Sequence, residues 1–131
     1  MIVLDASAAV DYLLWIGPAE QIARRISQSG EAIHAPHVLD IEVTHVLRRF
    51  ALRGVLTPAR GAEALGDLAD MRIRRYPHLP LLPRIWELRP NLSSFDAAYV
   101  ALAEVLDAAL VTSDAALERS PGHTARIEVF G

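Results

Sequence analysis

Four acidic residues stand at positions from which a protein can bring carboxylates together. Asp5 and Asp114 each follow an unbroken apolar stretch, at residues 2–4 and 108–112, whereas Glu42 and Asp96 lie on segments with helical patterns. Carboxylates that lie close together repel, so one of them takes up a proton unless a cation intervenes. Hard oxygen ligands without cysteine suit Mg²⁺, with Mn²⁺ as a substitute, and such an ion can activate water and neutralise a phosphate group.

The elements that must position these acids follow from the apolar pattern. An apolar run without alternation is typical of a strand that is buried on both faces of a parallel sheet. The carboxyl ends of such strands bind ligands in open α/β folds, and Asp5 and Asp114 share that end if their two strands are neighbours. Residues 38–52 form the clearest amphipathic helix, and Glu42 lies roughly 70° from the centre of its apolar face. Ser93 and Asp96 have the spacing of a capping box, which predicts a helix that continues to Leu106.

The remainder of the chain alternates between helical and extended patterns. Helices are expected at residues 7–14, from Pro18 to a stop at Ser29-Gly30, from Thr57 to about Arg72, at 83–88 and at 115–119. Further strands are expected at 32–35, 79–82 and 126–130. Trp15 and Phe95 are expected to be buried. The alternation predicts one α/β domain over residues 1–131, in three α/β/α layers with a mostly parallel sheet.

Charge and composition narrow the class of protein. Residues 48–89 hold nine arginines and four acids, a net charge of +5, whereas the rest nets −8 within an overall −3. Such a basic segment is typical of a path for a polyanion, although solvated helix faces explain it equally well. The chain has no cysteine, which excludes a disulfide framework and fits a reducing cytoplasm. No apolar run reaches the ~18 residues of a membrane helix, so we expect a cytoplasmic protein without membrane association.

Each acid also has a plainer explanation. Asp96 can serve only the capping box, Asp114 can cap the short helix after it, and Glu42 can be a solvated helix residue. Asp5 is the hardest to explain in this way, because an acid that ends a buried strand needs a partner. Other catalytic motifs are absent, including a glycine-rich phosphate loop, a G-x-S-x-G elbow and H-E-x-x-H.

Taken together and in order, the stretches around the four acids resemble the PIN-domain ribonucleases, and among them the VapC-type toxins of bacterial toxin–antitoxin pairs. The matching stretches are MIVLDASA at 1–8, EVTHVLRR at 42–49, LSSFDAAYVALA at 92–103 and LVTSDAAL at 110–117. The resemblance implies a PIN-like fold and a metal-dependent endoribonuclease. It also implies an acidic site made of Asp5, Glu42, Asp96 and Asp114.

The same resemblance implies roles for individual residues. Asp5 and Asp96 are the firmest Mg²⁺ ligands, while Glu42 and Asp114 hold waters or a second ion. Three hydroxyl side chains support the site: Ser7, Thr112 and Ser113. Three arginines are candidates to contact RNA or an antitoxin: Arg48, Arg49 and Arg53. The implied partners are single-stranded or loop RNA, a cognate VapB-type antitoxin and a second copy of the chain in a homodimer.

Two other classes of function stay open at this point. One is a non-catalytic PIN-like scaffold that binds RNA or protein, although all four acids are present. The other is a metal-dependent phosphatase or DNA nuclease on a similar α/β framework. A haloacid-dehalogenase phosphatase needs a second aspartate two residues after Asp5, and that position is Ser7.

Overall fold

Five strands form one sheet in the computed structural model, which describes residues 1–28 and 30–131. The strands are β1 (Ile2–Leu4), β2 (Ile33–Pro36), β3 (Ile73–Tyr76), β4 (Ala109–Thr112) and β5 (Ile127–Val129), in the spatial order β3-β2-β1-β4-β5. Every neighbouring pair is parallel, which confirms the α/β prediction. The sheet was predicted to be mostly parallel, and all of its described pairs are parallel. All three residues of β1 are fully buried, as expected for a central strand covered on both faces.

The helices pack in two groups. They are α1 (Ala6–Leu14), α2 (Ala19–Ser27), α3 (Val38–Leu52), α4 (Pro58–Asp70), α5 (Leu82–Glu87), α6 (Ser94–Leu106) and α7 (Ala115–Arg119). Right-handed crossovers place α1 to α4 on one face of the sheet and α5 to α7 on the other. Accordingly α1 contacts α2, α3 and α4, while α6 contacts α5 and the strands β1, β2 and β4. The three-layer α/β/α arrangement is therefore confirmed. None of these helices has the length and apolarity required to cross a membrane.

The two connections that start at the centre of the sheet diverge. From β1 the chain passes to β2 on one side, and from β4 it passes to β5 on the other, while β1 and β4 pair directly. Leu4 is in register with Val111, so Asp5 and Asp114 follow neighbouring strands at the same edge. The carboxyl ends beside such a switch point form the usual ligand crevice of an open α/β sheet.

Helix α6 is the central support of this edge. Its residues 97–103 are all buried, and a helix that is apolar on every side belongs in the core. Four of the seven are alanines, whose small side chains allow the helix to lie close to the strands. The helix begins at the carboxyl edge of the sheet, and Asp96 is in its first turn.

One predicted strand was wrong and one strand was missed. Residues 79–82 form no strand: Leu79–Leu81 is a 3₁₀ helix that leads into α5. Pro80 and Pro83 suit the first turns of helices and lack the N–H groups that a strand ladder needs. The strand β3 instead occupies Ile73–Tyr76, after α4 ends at Asp70. This edge strand pairs only with β2 and is not fully buried, so it lacks the apolar run that marks β1 and β4.

Two aromatic residues expected in the core are exposed. Trp15 ends α1 in the left-handed conformation, with φ of 55°, and 60% of its surface is accessible. Phe95 is in the first turn of α6, ahead of the buried residues, and is 58% exposed. The predicted stop of α2 at Ser29-Gly30 falls partly on Ser29, which lies outside the described residues; the helix ends at Ser27.

Candidate active site

Asp5 is a buried carboxylate at the centre of the carboxyl edge. It follows β1, caps α1 and is only 4% exposed. Its Oδ1 accepts hydrogen bonds from the Ser7 hydroxyl at 2.7 Å and the Ala8 amide at 3.0 Å. Its Oδ2 accepts one from the Thr112 hydroxyl at 2.5 Å. Within the described chain, therefore, Asp5 has no basic partner, and Oδ2 retains an acceptor position.

The hydroxyl groups of Ser7 and Thr112 join β1 to the loop after β4. Their oxygens lie 3.2 Å apart. The Ser113 amide donates to Ser7 Oγ at 3.1 Å, and the Asp114 amide donates to Thr112 Oγ1 at 3.0 Å. Thr112 is fully buried. These bonds fix the path of residues 112–114 relative to Asp5. Ser113 takes part through its backbone amide, and its hydroxyl makes no hydrogen bond with any described residue.

Asp114 caps one helix and Asp96 lies in the first turn of another, as the plainer explanations predict. Asp114 Oδ1 accepts the Ala116 amide at 2.9 Å and caps α7. The cap of α6, however, is Ser93, whose hydroxyl accepts the Asp96 amide at 3.1 Å. A side-chain hydrogen bond with Ser93 also acts on the Asp96 carboxylate and opposes the rise of its pKa. Asp96 is thus a half-buried acid that makes no ion pair with any described residue.

Glu42 has a buried partner that the sequence reasoning missed. It is half-buried on α3, and its Oε1 accepts a hydrogen bond from the Tyr99 hydroxyl at 2.6 Å. Tyr99 is 1% exposed and belongs to α6, so this bond connects the two helix layers across the edge of the sheet. The sequence signal was a tyrosine in a helix face of alanine, valine and leucine. A buried tyrosine hydroxyl needs a polar partner, and the nearest candidates were the four acids.

The pKa values show that the acids affect one another. Burial raises the pKa of Asp5 to about 6, against the hydrogen bonds it accepts, and the negative charge of Asp96 adds to the rise. Burial also raises the pKa of Glu42, where Asp96 again contributes. The pKa of Asp96 is raised by burial and by Asp114. Asp96 is therefore the shared neighbour whose charge couples the acids of β1, α3 and the loop after β4.

The acidic side chains at this edge fit a hydrated divalent ion. Within residues 1–28 and 30–131, no three acidic or histidine side chains lie together as a ready cage for a metal. Mg²⁺ does not need such a cage, because it keeps several waters and is usually held by one or two carboxylates. Asp5 and Asp96 make no ion pair with any described residue, and their oxygens accept hydrogen bonds only from uncharged groups. This uncompensated negative charge on hard oxygen ligands fits that mode of binding.

The basic segment is only partly available to a polyanion. Arg75 pairs with Asp40 through two hydrogen bonds of 2.8 and 2.9 Å, and Arg84 pairs with Glu104 and Glu87. Arg60 pairs with Glu63. In contrast, Arg48, Arg49 and Arg53 are exposed on or just after α3 and make no ion pair with any described residue. Of these three, Arg49 lines a cavity that also contains Glu42.

The fold and the edge together define a class of protein: an α/β domain with an acidic, metal-compatible crevice at the switch point of a parallel sheet. Residues 2–122 match the family model of the PIN domain. A VapC ribonuclease of Mycobacterium bovis is 48% identical over 114 residues, which cover 87% of this chain and 86% of the relative. Ribonuclease VapC12 of Mycobacterium tuberculosis is 40% identical over 129 residues, 98% of each chain.

Solved structures agree on the fold. VapBC2 from Rickettsia felis, bound to a DNA fragment from its promoter, contains a chain with a TM-score of 0.72 and 14% identity over all of both chains. DNA-bound VapBC from Salmonella typhimurium gives 0.73 and 16% identity over 98% of this chain and 96% of that one. The protein therefore belongs to the PIN-domain family and, within it, to the family of VapC ribonucleases.

Proposed function

We propose that this chain is the toxin of a toxin–antitoxin pair, a metal-dependent endoribonuclease that works in the cytoplasm and is inhibited by a cognate VapB-type antitoxin. Its relatives carry the name VapC ribonuclease, and chains of similar fold come from VapBC structures. The observation that carries the catalytic part is the electrostatic coupling of Asp96 to Asp5, Glu42 and Asp114. Acids that raise one another's pKa are stabilised by a bound cation.

In this proposal Asp5 and Asp96 are the firmest ligands of Mg²⁺, or of Mn²⁺ in its place. A bound divalent ion supplies a water of lowered pKa and offsets negative charge on the scissile phosphate. Glu42 and Asp114 hold waters, and one of them orients or deprotonates the attacking water. Ser7 and Thr112 donate to Asp5 and hold its carboxylate in one orientation. Tyr99 does the same for Glu42.

The substrate class is single-stranded or loop RNA. An open crevice at the edge of a sheet reaches exposed bases and backbone better than it reaches the interior of an RNA duplex. The exposed arginines Arg48, Arg49 and Arg53 offer positive charge to the phosphates or to acidic groups of an antitoxin. We further propose that the chain forms a homodimer.

Cleavage of labelled structured RNA by the purified chain tests the catalytic proposal. Cleavage is expected with Mg²⁺ or Mn²⁺, is expected to stop with EDTA, and is expected to fall at least about 100-fold in Asp5→Asn and Asp96→Asn, as for loss of a catalytic ligand. Asp70→Asn is the matched control, because Asp70 is an exposed aspartate at the end of α4. Metal-independent cleavage, or full activity in both site variants, would contradict the metal site.

Two further measurements separate metal binding and inhibition from turnover. Mg²⁺ is expected to raise the melting temperature of the wild-type chain and not that of Asp96→Asn, whether or not RNA is cut. Expression of the chain is expected to arrest growth of a bacterial host, and co-expression of the adjacent small reading frame to relieve the arrest. Absence of cleavage on every RNA and DNA tested, with antitoxin removed by refolding, would favour the non-catalytic scaffold.

A further inference from the structure

Phe95 presents an aromatic ring to solvent immediately beside the acidic site. The residue directly precedes Asp96 and is 58% exposed, whereas residues 97–103 of the same helix are all buried. A phenyl ring in solvent gives no stabilisation from apolar burial, so the position forgoes stability that an inward-facing ring would provide. An aromatic ring at the edge of a nuclease crevice is one of the few exposed groups that every nucleobase can contact, because each base has a π-face.

The ring forms one wall of a cavity of about 470 Å³ between the first turn of α6 and α3. We call this space the Phe95 cavity, and its other walls that matter here are Ile41, Glu42, His45, Val46 and Arg49. Its volume lies within the ~300–1,000 Å³ of typical small-ligand sites. Glu42, one of the four acids, is a wall of this cavity, and so is Ala6, which directly follows Asp5, so the cavity adjoins the proposed catalytic site.

Four walls of the cavity, three of them polar, are arranged along one face of α3. Glu42, His45, Val46 and Arg49 are spaced by three, four and seven residues and therefore line the same side of the helix. His45 and Arg49 are exposed and make no ion pair with the described residues. Apolar and aromatic surface beside two unpaired basic groups matches a nucleotide, whose base is flat and apolar on its faces and whose phosphate is negatively charged.

We propose that the Phe95 cavity is a nucleobase subsite, in which an unpaired base of the RNA stacks on Phe95 while Arg49 and His45 contact the flanking phosphates. This inference rests on the proposed ribonuclease function and names how the substrate is held beside the acids. Glu42 is a wall of the same cavity, so a base bound there sets which phosphate of the RNA lies next to the carboxylates. Stacking tolerates any base, and the subsite therefore favours unpaired over paired nucleotides rather than one sequence.

Fluorescence anisotropy of a labelled single-stranded RNA pool of random sequence tests the subsite. Binding is measured in Mg²⁺ on an Asp5→Asn background, in which the buried carboxylate becomes an amide and cleavage is suppressed. Phe95→Leu, which keeps an apolar side chain and loses the ring, is expected to weaken binding about 5- to 150-fold, the range for loss of one stacked base. Phe95→Trp is expected to retain binding. Trp15→Leu is the control for an exposed aromatic residue, because Trp15 lies at the end of α1 that is far from Asp5. This change is expected to have no effect on RNA affinity.

An oligomer of the same length that lacks bases separates stacking from charge. On this abasic chain Phe95→Leu is expected to change nothing, because no base is present to stack. Arg49→Ala is expected to weaken binding of the RNA pool and the abasic chain alike, and to reduce the slope of log affinity against log salt by about one.

Several outcomes overturn the subsite. The first is equal RNA affinity of the Asp5→Asn protein with and without Phe95→Leu. The second is that Phe95→Leu weakens binding of the abasic oligomer as much as binding of the RNA pool. The third is that the Asp5→Asn protein shows no measurable RNA binding. If Phe95→Leu spares RNA binding but abolishes inhibition by the antitoxin, or converts a dimer to a monomer in sedimentation, the cavity belongs to a protein partner instead. Cleavage by the wild-type chain is scored separately, so Phe95-independent binding by an active nuclease contradicts the subsite alone.

Discussion

The Tyr99 hydroxyl donates a hydrogen bond of 2.6 Å to Glu42 Oε1, from a side chain that is 1% exposed. The bond joins α3 to α6, on opposite faces of the sheet, and the second oxygen of Glu42 makes no hydrogen bond with any described residue. Burial and the adjacent Glu42 raise the pKa of Tyr99 above its ordinary value of 10, so the phenol keeps its proton and remains a donor at neutral pH. Tyr99 is thus a positioning residue for one of the four acids.

Removal of this hydroxyl should weaken catalysis through Glu42. Hydrogen bonds to charged groups contribute about 1.5–3 kcal/mol, so Tyr99→Phe is expected to lower the cleavage rate about 10- to 100-fold while the ring still fills the core. In a Glu42→Gln background the same change should have little further effect, because the two residues act as one unit. Rates of the four chains in a double-mutant cycle check this. Additive losses would contradict a positioning role, and Tyr12→Phe, whose hydroxyl bonds to no described group, is the control.

Asp5 should reduce the stability of the metal-free protein at neutral pH. Its folded pKa is about 6 against an ordinary value of 3.8, so the folded state prefers the protonated form, and stability falls as pH rises from about 4 to 6. The loss is at most about 3 kcal/mol. Asp5→Asn, which keeps an oxygen acceptor and adds a donor for Thr112, should therefore raise the melting temperature in EDTA at pH 8 and change it little at pH 4. A lower melting temperature at pH 8 would mean that the charge is stabilised without metal.

Thr112 should matter through its hydroxyl and not through its volume. The oxygen donates to Asp5 and accepts the Asp114 amide, at a position that is fully buried. Thr112→Val preserves shape but leaves both partners unsatisfied, at a cost of about 2–3 kcal/mol in the free energy of unfolding. Thr112→Ser should retain most of the stability. Urea denaturation of the two variants measures the difference, and equal destabilisation would show that the methyl group, rather than the hydroxyl, is what the site requires.

The ion pair between Arg84 and Glu104 lies far from the candidate site. It should make the free energy of unfolding depend on pH in the acidic range. Hydrogen bonds from Arg84 and Thr124 hold the pKa of Glu104 at about 2, below its ordinary 4.5, and its side chain is 12% exposed. A lowered pKa contributes stability above pH 4.5 that is lost as pH falls toward 2. Glu104→Gln should cost about 2 kcal/mol at pH 7, after allowance for solvent screening at Arg84, and much less near pH 2.

Urea midpoints across that pH range test the pair. Glu20→Gln breaks the pair between Glu20 and Arg24, where both side chains are about 70% exposed, and should shift the midpoint very little at any pH. If both variants lose the same stability, the low pKa of Glu104 does not reflect a specific interaction between α5 and α6.

The site could be anticipated from the chain because its acids stand at the ends of elements with strong local signals. The apolar runs before Asp5 and Asp114 identify buried strands, and the capping pattern at Ser93 fixes the turn that contains Asp96. The alternation of elements determined the α/β class. The edge strand β3 escaped because a strand with one neighbour and partial exposure does not need an apolar run.

Only the tertiary structure decided which distant groups meet. Strand pairing β1–β4 brings Thr112 onto Asp5, and the crossing of the helix layers brings Tyr99 onto Glu42, contacts that span 107 and 57 residues. It also placed Phe95 in solvent and paired Arg75 and Arg84 with acids, leaving Arg49 beside the crevice. Local sequence determines helix, strand and cap through short-range sterics and hydrogen bonds. Which side chains share a partner depends on sheet order and helix packing, which no local pattern encodes.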